Sequence, residues 1–589
     1  MELWYKRRKE RLALEEKSFQ GKQLELSLNK KLLESKHIVV FEGKIQAVDG
    51  EHELQVVYPP FFPDKPPTVI DKTKIYKRHQ NPRIGNLCLP VWHRKMTGAD
   101  KVLEAITYIN RYIQDPDSLK DDEADAGEPL SMYYEYSFAS SVIITPPFTK
   151  EPNEQRGFFK IGRLPFLHFD SAVHPMQTAL TYYSETVKDQ ENIIATVKEG
   201  LLKGNGIEFM GPWLWSAEPP PHSIDSFDEL KHWMIGRDKD IAHRVNRSCN
   251  LMEKDYKKKN LNIRCECIGV VYPDESPIKG QFYAQWLIGL LIKQDGKQSS
   301  YLLRPMHLPT DDEYYTRMSF LKGTKNKRVA IIGLGAIGSH LALELARAGI
   351  KSFLLVDPDW YLPDVMVRQA TNLSNAGMLK VLAIREQIFL VHPSAIVDIL
   401  PLRIGEAPQV HEKMRAAQED LQNIIDMLSK CDLIISATGD TDAEYTINEI
   451  LREIGKPGIF ASSTNGAWGG HVFRSMPGQA CFQCFIHYYG DSAIYTASSA
   501  PEKTEVYARG CGNPAFSGAG FDSSIISNLA ARLAVQTLLL RDGDKSYPEA
   551  NYNLINWSSR GSDAGDNPRI DTKQIDVHPD CSICKQKTS

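Results

Sequence analysis

The stretch RVAIIGLGAIGSHLALELARAGIKSFLLVD, Arg328 to Asp357, constrains this chain more than any other. An apolar run enters a glycine turn, apolar residues then recur at helical spacing, and a second apolar run ends on a carboxylate. That order predicts an open α/β unit built on a parallel sheet. Gly333, Gly335 and Gly338 form GxGxxG between the predicted strand and helix, which is the context the motif requires. Glycines permit the tight turn and let phosphate approach backbone amides, and the helix N-terminus supplies positive partial charge. Asp357, 24 residues after Gly333, is placed to bind ribose hydroxyls. On this stretch alone a dinucleotide and ATP fit about equally.

The residues downstream separate the two. Arg368 in VMVRQATN and Lys380 in NAGMLKVLAI follow the ribose carboxylate. Hydride transfer has no special need of these cations. A triphosphate does, because charge on the departing pyrophosphate must be stabilised. CDLIISATGDTDAEYTINE then puts Asp440 just past another strand, at the sheet end where ligands bind, suited to Mg²⁺.

At 589 residues the chain exceeds one core, and domains of about 100 to 200 residues suggest several. Residues 1–125 read as a small α+β domain. HIVVFEGKIQAVDGEHELQVVYPP holds two apolar runs joined at Asp49-Gly50, a hairpin signal, and Val102, Ile106, Ile109 and Ile113 recur at helical spacing. The acidic DDEADAGEP, Asp121 to Pro129, reads equally as a linker or a solvated loop. Residues 126–310 carry no repeat and no catalytic signature. The α/β pattern occupies residues 311–589.

With 42% apolar and 24% charged residues and a formal charge of -4, the chain has the composition of a soluble globular protein, with no bulk electrostatic pull toward nucleic acid. Its charged N-terminus has no signal-peptide core, and YAQWLIGLLI is too short to span a bilayer, so the expectation is a cytoplasmic protein with no membrane partner.

Ten cysteines in so long a chain do not make a disulfide framework. Four of them form matched pairs, Cys481 and Cys484 in ACFQCF and Cys581 and Cys584 in HPDCSICKQ. Two CxxC pairs can give one Zn²⁺ four thiolates and leave no open position, so the expected role is structural, tying the tail to the domain body. Cys249, Cys265 and Cys267 read as core or surface thiols. Cys511 in YARGCGNPAFSGAGFD lies between glycines on a predicted loop, with Arg509 close enough in sequence to favour a thiolate.

Residues 311–589 resemble the ThiF-type adenylating domain shared by ubiquitin-activating enzymes and bacterial sulfur-carrier activators. The resemblance rests on GxGxxG, the Asp357-x-Asp359 strand end, Arg368-Gln369, Lys380 and Asp440. YYTRMSFLKG resembles the family's preceding Arg-bearing helix, which implies that Arg317 reaches phosphate. The family commonly shows Ser-Asn-Leu-x-Arg-Gln where this chain has PDVMVRQ. The resemblance further implies that Cys511 is the nucleophile that takes the acyl group from an acyl-adenylate as a thioester.

Residues 1 to about 120 resemble the ubiquitin-conjugating fold: an N-terminal helix, a β-meander, VYPPFFPDKPPTV, then HQNPRIGNLCL and Trp92 before a helix. The family pattern is His-Pro-Asn before Gly-x-x-Cys-Leu. Here Gln80 takes the proline position and the spacing from Asn to Cys is one residue shorter. The resemblance implies that Cys88 receives the acyl group and that Asn81 stabilises the oxyanion.

A conjugating domain followed by an activating domain resembles the fused ubiquitin-transferase-like enzymes of bacterial antiphage operons built around cyclic-oligonucleotide signalling. That implies ATP, Mg²⁺ and structural Zn²⁺, and a homodimer. It also implies a protein donor whose C-terminal carboxylate is activated, a cGAS-like nucleotidyltransferase, and target lysines as acceptors. The expected fold is α/β multidomain, with a ubiquitin-conjugating-like domain, a central accessory domain and a Rossmann-like adenylating domain bearing the zinc site. Three alternatives stay open: a sulfur-carrier adenylyltransferase with an N-terminal binding module, an NAD-dependent oxidoreductase, and a non-catalytic adaptor.

Overall fold

The computed structural model describes residues 3–73, 76, 79–89, 91–114, 127–138, 140–164, 177–187, 190–196, 207–276, 278, 280–310, 313–404, 414–494, 497–500, 506–507, 514–515, 517–560 and 568–585. The chain divides into two compact units, Met1–Pro309 and Thr310–Ser589.

The first unit begins with a single helical turn, Trp4–Arg7, followed by helix α1 (Lys9–Gly21). An antiparallel meander follows, β1 (Glu25–Leu28), β2 (Val40–Ala47), β3 (Gly50–Val57) and β4 (Thr68–Asp71), in that spatial order. Ala47 pairs with Gly50, so the hairpin turn is Val48-Asp49, one residue earlier than the sequence suggests. Gly50 instead opens β3 at φ +137°, a conformation that side-chain-bearing residues rarely adopt. Helix α2 (Gly98–Gln114) packs on the meander through Val102, Ala105, Ile109 and Tyr112, all buried. Ile106 and Ile113 lie at the edge of that contact, because the stripe drifts by one position around the helix.

A second sheet in this unit has strands β5 (Ser141–Ile144), β6 (Arg156–Arg163), β7 (Gln177–Val187), β8 (Gln190–Thr196), β9 (Glu208–Trp215), β10 (Ile263–Glu275), β11 (Phe282–Gln294) and β12 (Lys297–His307). β5 pairs with both β12 and β7, so the ladder closes on itself. Helices α3 (Phe227–Arg237) and α4 (Ile241–Lys258) cover it. The run YAQWLIGLLI lies in β11 with Ala284 to Leu291 buried, and Cys249, Cys265 and Cys267 are core residues.

The second unit contains a doubly wound sheet. Strands β13 (Arg328–Ile332), β14 (Ser352–Val356), β15 (Ile396–Leu400), β16 (Leu433–Ser436) and β17 (Gly458–Ser463) are parallel, in the spatial order β15-β14-β13-β16-β17. Three antiparallel strands extend it: β18 (Gly469–Ser475), β19 (Leu554–Ser558) and β20 (Arg569–Lys573). Both faces are covered. Val329 and Ile331 join one core, with α5 (Gly338–Arg347), α6 (Lys380–Val391) and α10 (Gly520–Arg541). Ala330 and Ile332 join the other, with α7 (Met414–Ser429), α8 (Thr441–Ile454) and α9 (Phe482–Gly490). This is why the strands read as unbroken apolar runs. Helix α10 is long and apolar enough to cross a membrane, yet it is largely buried in this core. The order reverses between β13 and β16, and at the carboxyl ends of those strands an open α/β sheet binds its ligands.

Candidate functional site

The glycine turn sits at that reversal. Gly333 has φ +87°, and a Cβ there would lie 2.6 Å from the Ala437 carbonyl oxygen at the end of β16. A Cβ on Gly338 would lie 1.9 Å from the Gly333 carbonyl oxygen, so the turn closes directly on the start of α5. A Cβ on Gly335 would meet nothing within 4 Å. Two of the glycines therefore satisfy packing, and the third leaves the turn's outer surface bare for a ligand.

Asp357, nearly fully buried, fastens this turn. Its Oδ2 accepts from the Leu334 amide at 2.6 Å and its Oδ1 from the Asp359 amide at 2.8 Å. Burial pushes its pKa up, and Lys380 is the main opposing influence. Lys380 Nζ lies 2.7 Å from Asp359 Oδ2 and 3.7 Å from Asp357 Oδ1, so the cation and the two carboxylates form one cluster. Arg368 belongs to the segment whose Ala370 amide donates to Ser339 Oγ in the first turn of α5. Burial lowers the Arg368 pKa, with Asp364 opposing. Gln369 beside it is buried.

Asp440 is exposed and caps α8, its Oδ1 accepting from the amides of Asp442 and Ala443. Its second carboxylate oxygen accepts no hydrogen bond from a described residue. Glu444, one turn on, was not singled out by sequence. It is buried, its Oε1 has no partner among the described residues, and burial followed by the Asp440 charge pushes its pKa up to about 8. Arg317 does not lie on a helix continuous with the domain. It is exposed between two short 3₁₀ turns, Glu313–Tyr315 and Ser319–Thr324, and forms no ion pair with a described residue. The segment is too short, and too soon followed by Gly323, to propagate an α-helix.

Cys481, Cys484, Cys581 and Cys584 converge. Their sulfurs lie 3.8 Å (481 to 484), 3.6 Å (481 to 581) and 3.7 Å (484 to 584) apart. Four thiolates around Zn²⁺ at about 2.3 Å stand roughly 3.8 Å from one another, so this donor set fits a tetrahedral ion. Asn448 Oδ1 accepts from the Phe482 amide, and Arg452 donates to Cys584 Sγ at 3.3 Å, so α8 backs the cluster. Cys511 lies outside the described residues.

In the first unit, Cys88 is exposed on the loop between β4 and α2. Its amide donates to the His79 carbonyl at 2.6 Å. Gln80 is buried and cross-links the loop, accepting from the Tyr76 amide and donating to the Gly85 carbonyl. An amide side chain thus makes bonds that a proline at this position would not. Asn81 Oδ1 accepts from the Arg83 amide at 2.9 Å and so caps the turn leading to Cys88. Buried Lys101 donates to the carbonyls of Leu89 and Val91 and to Glu104, fixing the far side of the loop. Burial, then the charge on Glu128, raises the Cys88 pKa above its ordinary value. The sequence placed Glu128 in a linker or solvated loop. Here its Oε2 accepts from the His79 amide at 2.8 Å and its Oε1 from the Tyr133 hydroxyl at 2.8 Å.

Residues 315–573 match the model of the ThiF family. A Sinorhizobium fredii protein named Uncharacterized protein y4oA is 22% identical over 564 residues, 90% of each chain. Adenylyltransferase and sulfurtransferase UBA4 of Candida albicans is 21% identical over 269 residues, covering 43% of this chain and 54% of its own. Ubiquitin-like modifier-activating enzyme 5 of Rattus norvegicus is 28% identical over 185 residues, covering 30% of this chain and 42% of its own. The similarity to these two enzymes thus spans about half of their length or less.

Proposed function

We propose, from the premise that residues 315–573 form a ThiF-family adenylyltransferase domain with homology to ubiquitin-activating-like enzymes, that this chain is an ATP-dependent protein-conjugating enzyme. The C-terminal carboxylate of a protein donor attacks the α-phosphate of ATP, forming an acyl-adenylate and releasing pyrophosphate. Gly335 leaves the phosphates room, the amides of the turn and the N-terminus of α5 face them, and Arg368 and Lys380 offset the charge that develops. Asp440 would hold Mg²⁺, which supplies further positive charge against the phosphates when bound. Cys511 then displaces AMP, and Cys88 takes the acyl group by thioester exchange. A lysine amine finally attacks the Cys88 thioester to form an isopeptide bond. Zn²⁺ on the four cysteines would tie the C-terminal segment to α8 and α9.

The observation that carries this reading is the exposed Cys88, on a loop braced from both sides, in the same chain as an adenylating domain. The resemblance supports a cGAS-like nucleotidyltransferase as donor, a cytoplasmic antiphage setting and a homodimer. UBA4, named as an adenylyltransferase and sulfurtransferase, favours one other reading, in which Cys511 relays sulfur and the first unit only binds a partner.

The test is a non-reducing gel after incubation with ATP, Mg²⁺ and the nucleotidyltransferase. The expected result is a thiol-sensitive adduct on the wild-type chain, none on Cys511→Ala, and an adduct retained on Cys88→Ala without isopeptide product. Normal charging of Cys511→Ala refutes the relay order. Undiminished isopeptide product from Cys88→Ala removes Cys88 from the route, and a Cys511 adduct with no isopeptide product even on the wild-type chain favours the sulfur-relay reading.

A further inference from the structure

Residues 127–131, after α2, are held against the second sheet. Asp274 and Glu275 end β10 and are both buried. Asp274 accepts from the amides of Leu130 and Ser131, and Glu275 accepts from the Glu128 amide at 2.7 Å. A Cβ on Gly127 would lie 1.9 Å from the Ser276 carbonyl oxygen, so the chain here lies hard against the strand end. Arg83, on the turn before Cys88, adds a second tie through Glu135 at 3.2 Å and Asp225 at 3.4 Å. These bonds fix Glu128, whose carboxylate holds the His79 backbone that in turn positions the Cys88 amide, and whose charge is felt at the thiol. Among the described residues, the charged and titratable groups around the thiol are Glu128 and Glu104, Lys101, which is committed to Glu104 and two carbonyls, His79, and the phenols of Tyr108 and Tyr133.

This arrangement makes the thiol a poor resting nucleophile, since burial first and the neighbouring carboxylate second disfavour the thiolate. The same carboxylate suits the opposite partner. Once Cys88 is acylated, the loop presents an uncharged thioester beside a fixed negative charge, which attracts a cationic amine and repels anions.

We propose that Glu128, supplied by the accessory sheet and not by the thiol's own meander, binds the acceptor lysine at Cys88 and takes its proton. The inference rests on the proposed role of Cys88 as acyl carrier. The lysine ammonium gives one proton to the Glu128 carboxylate, which releases it to water. The neutral amine attacks the thioester carbonyl, the C–N bond forms and the C–S bond breaks. The second amine proton passes to the departing Cys88 thiolate.

The test uses the full chain carrying Cys511→Ala, acylated at Cys88 with a fluorescent diglycyl thioester of 2-mercaptoethanesulfonate, and compares Glu128→Gln with its parent. Discharge is timed with free lysine, a cation at neutral pH, and with hydroxylamine, which is neutral there and needs no proton removed before attack. The expected result is that Glu128→Gln slows lysine discharge at least tenfold near pH 7 and leaves hydroxylamine discharge within twofold. Raising the pH, which deprotonates lysine in solution, should narrow the lysine deficit. Equal loss with both nucleophiles makes Glu128 a structural brace only and overturns the proposal. Unchanged lysine discharge overturns it while leaving Cys88 as carrier. Failure of the parent to acylate at Cys88 overturns both.

Discussion

Replacing Asp357 by Asn isolates what holds the glycine turn. The two Asp357 oxygens accept from the Leu334 and Asp359 amides, and the carboxylate is almost fully buried. Asn keeps one acceptor and turns the other into a donor aimed at a donor, so one of the two charge-assisted bonds must go. Such a bond contributes about 1.5 to 3 kcal/mol, and the orphaned amide has no water to replace it. Hydrogen exchange of the Leu334 amide in the nucleotide-free protein should therefore accelerate, because the turn opens at lower free energy. If binding must first re-form the turn, ATP affinity measured by calorimetry should fall by roughly 10- to 150-fold, at 1.4 kcal/mol per decade. Asp359→Asn is the contrast. Its carboxylate is half exposed and, among the described residues, pairs with Lys380 alone, a contact contributing about 0 to 1 kcal/mol. Leu334 exchange should hardly change in that variant. If Asp357→Asn leaves Leu334 protected and ATP affinity within twofold of wild type, the carboxylate does not fasten the turn.

The glycines should separate folding from binding. Gly338→Ala puts its Cβ 1.9 Å from a backbone oxygen and should lower the melting temperature, whereas Gly335→Ala, with open space at its Cβ, should melt like wild type yet lose ATP-dependent pyrophosphate exchange. Glu444 sets a pH dependence. Its folded pKa of about 8 lies above the usual value of 4.5, so between these limits the folded state holds more protons than the unfolded one and stability falls as pH rises. Glu444→Gln, neutral at every pH, should flatten that slope and raise the melting temperature at pH 8 more than at pH 5. A slope unchanged in the variant would mean that another group titrates.

The sequence made the second unit's architecture legible because each piece of evidence was local. Alternating apolar strands, a glycine turn and a carboxylate at the next strand end all lie within Arg328 to Asp357. The cysteine pairs were legible because CxxC spacing limits the ways two thiols can face one ion. Glu128 was not legible. It is 40 residues from Cys88 and is placed by Glu275, another 147 residues on, so no window of sequence contains the relation. Glu444 was hidden for a different reason. A carboxylate in an acidic helix start reads as solvated, and only the packing of α8 shows it to be buried. The stretch around Arg317 forms successive 3₁₀ turns where a helix is expected, because short-range pattern does not distinguish the two.

Helix α8 carries Asp440 at its cap, Glu444 and Asn448 at the next two turns, and Arg452 near its end, each four residues from the last and hence along one side. The cap belongs to the nucleotide end of the sheet, while Asn448 and Arg452 are bonded to the backbone and the sulfur of the cysteine cluster. Twelve residues of α-helix make a stiff rod of about 18 Å. Anything that rearranges the cysteines, whether demetallation or oxidation of a CxxC pair, moves two anchor points at one end of that rod. On the proposed reading, a tilt at that end would reach the Asp440 carboxylate at the other, which would make the four thiols a lever on the adenylation step.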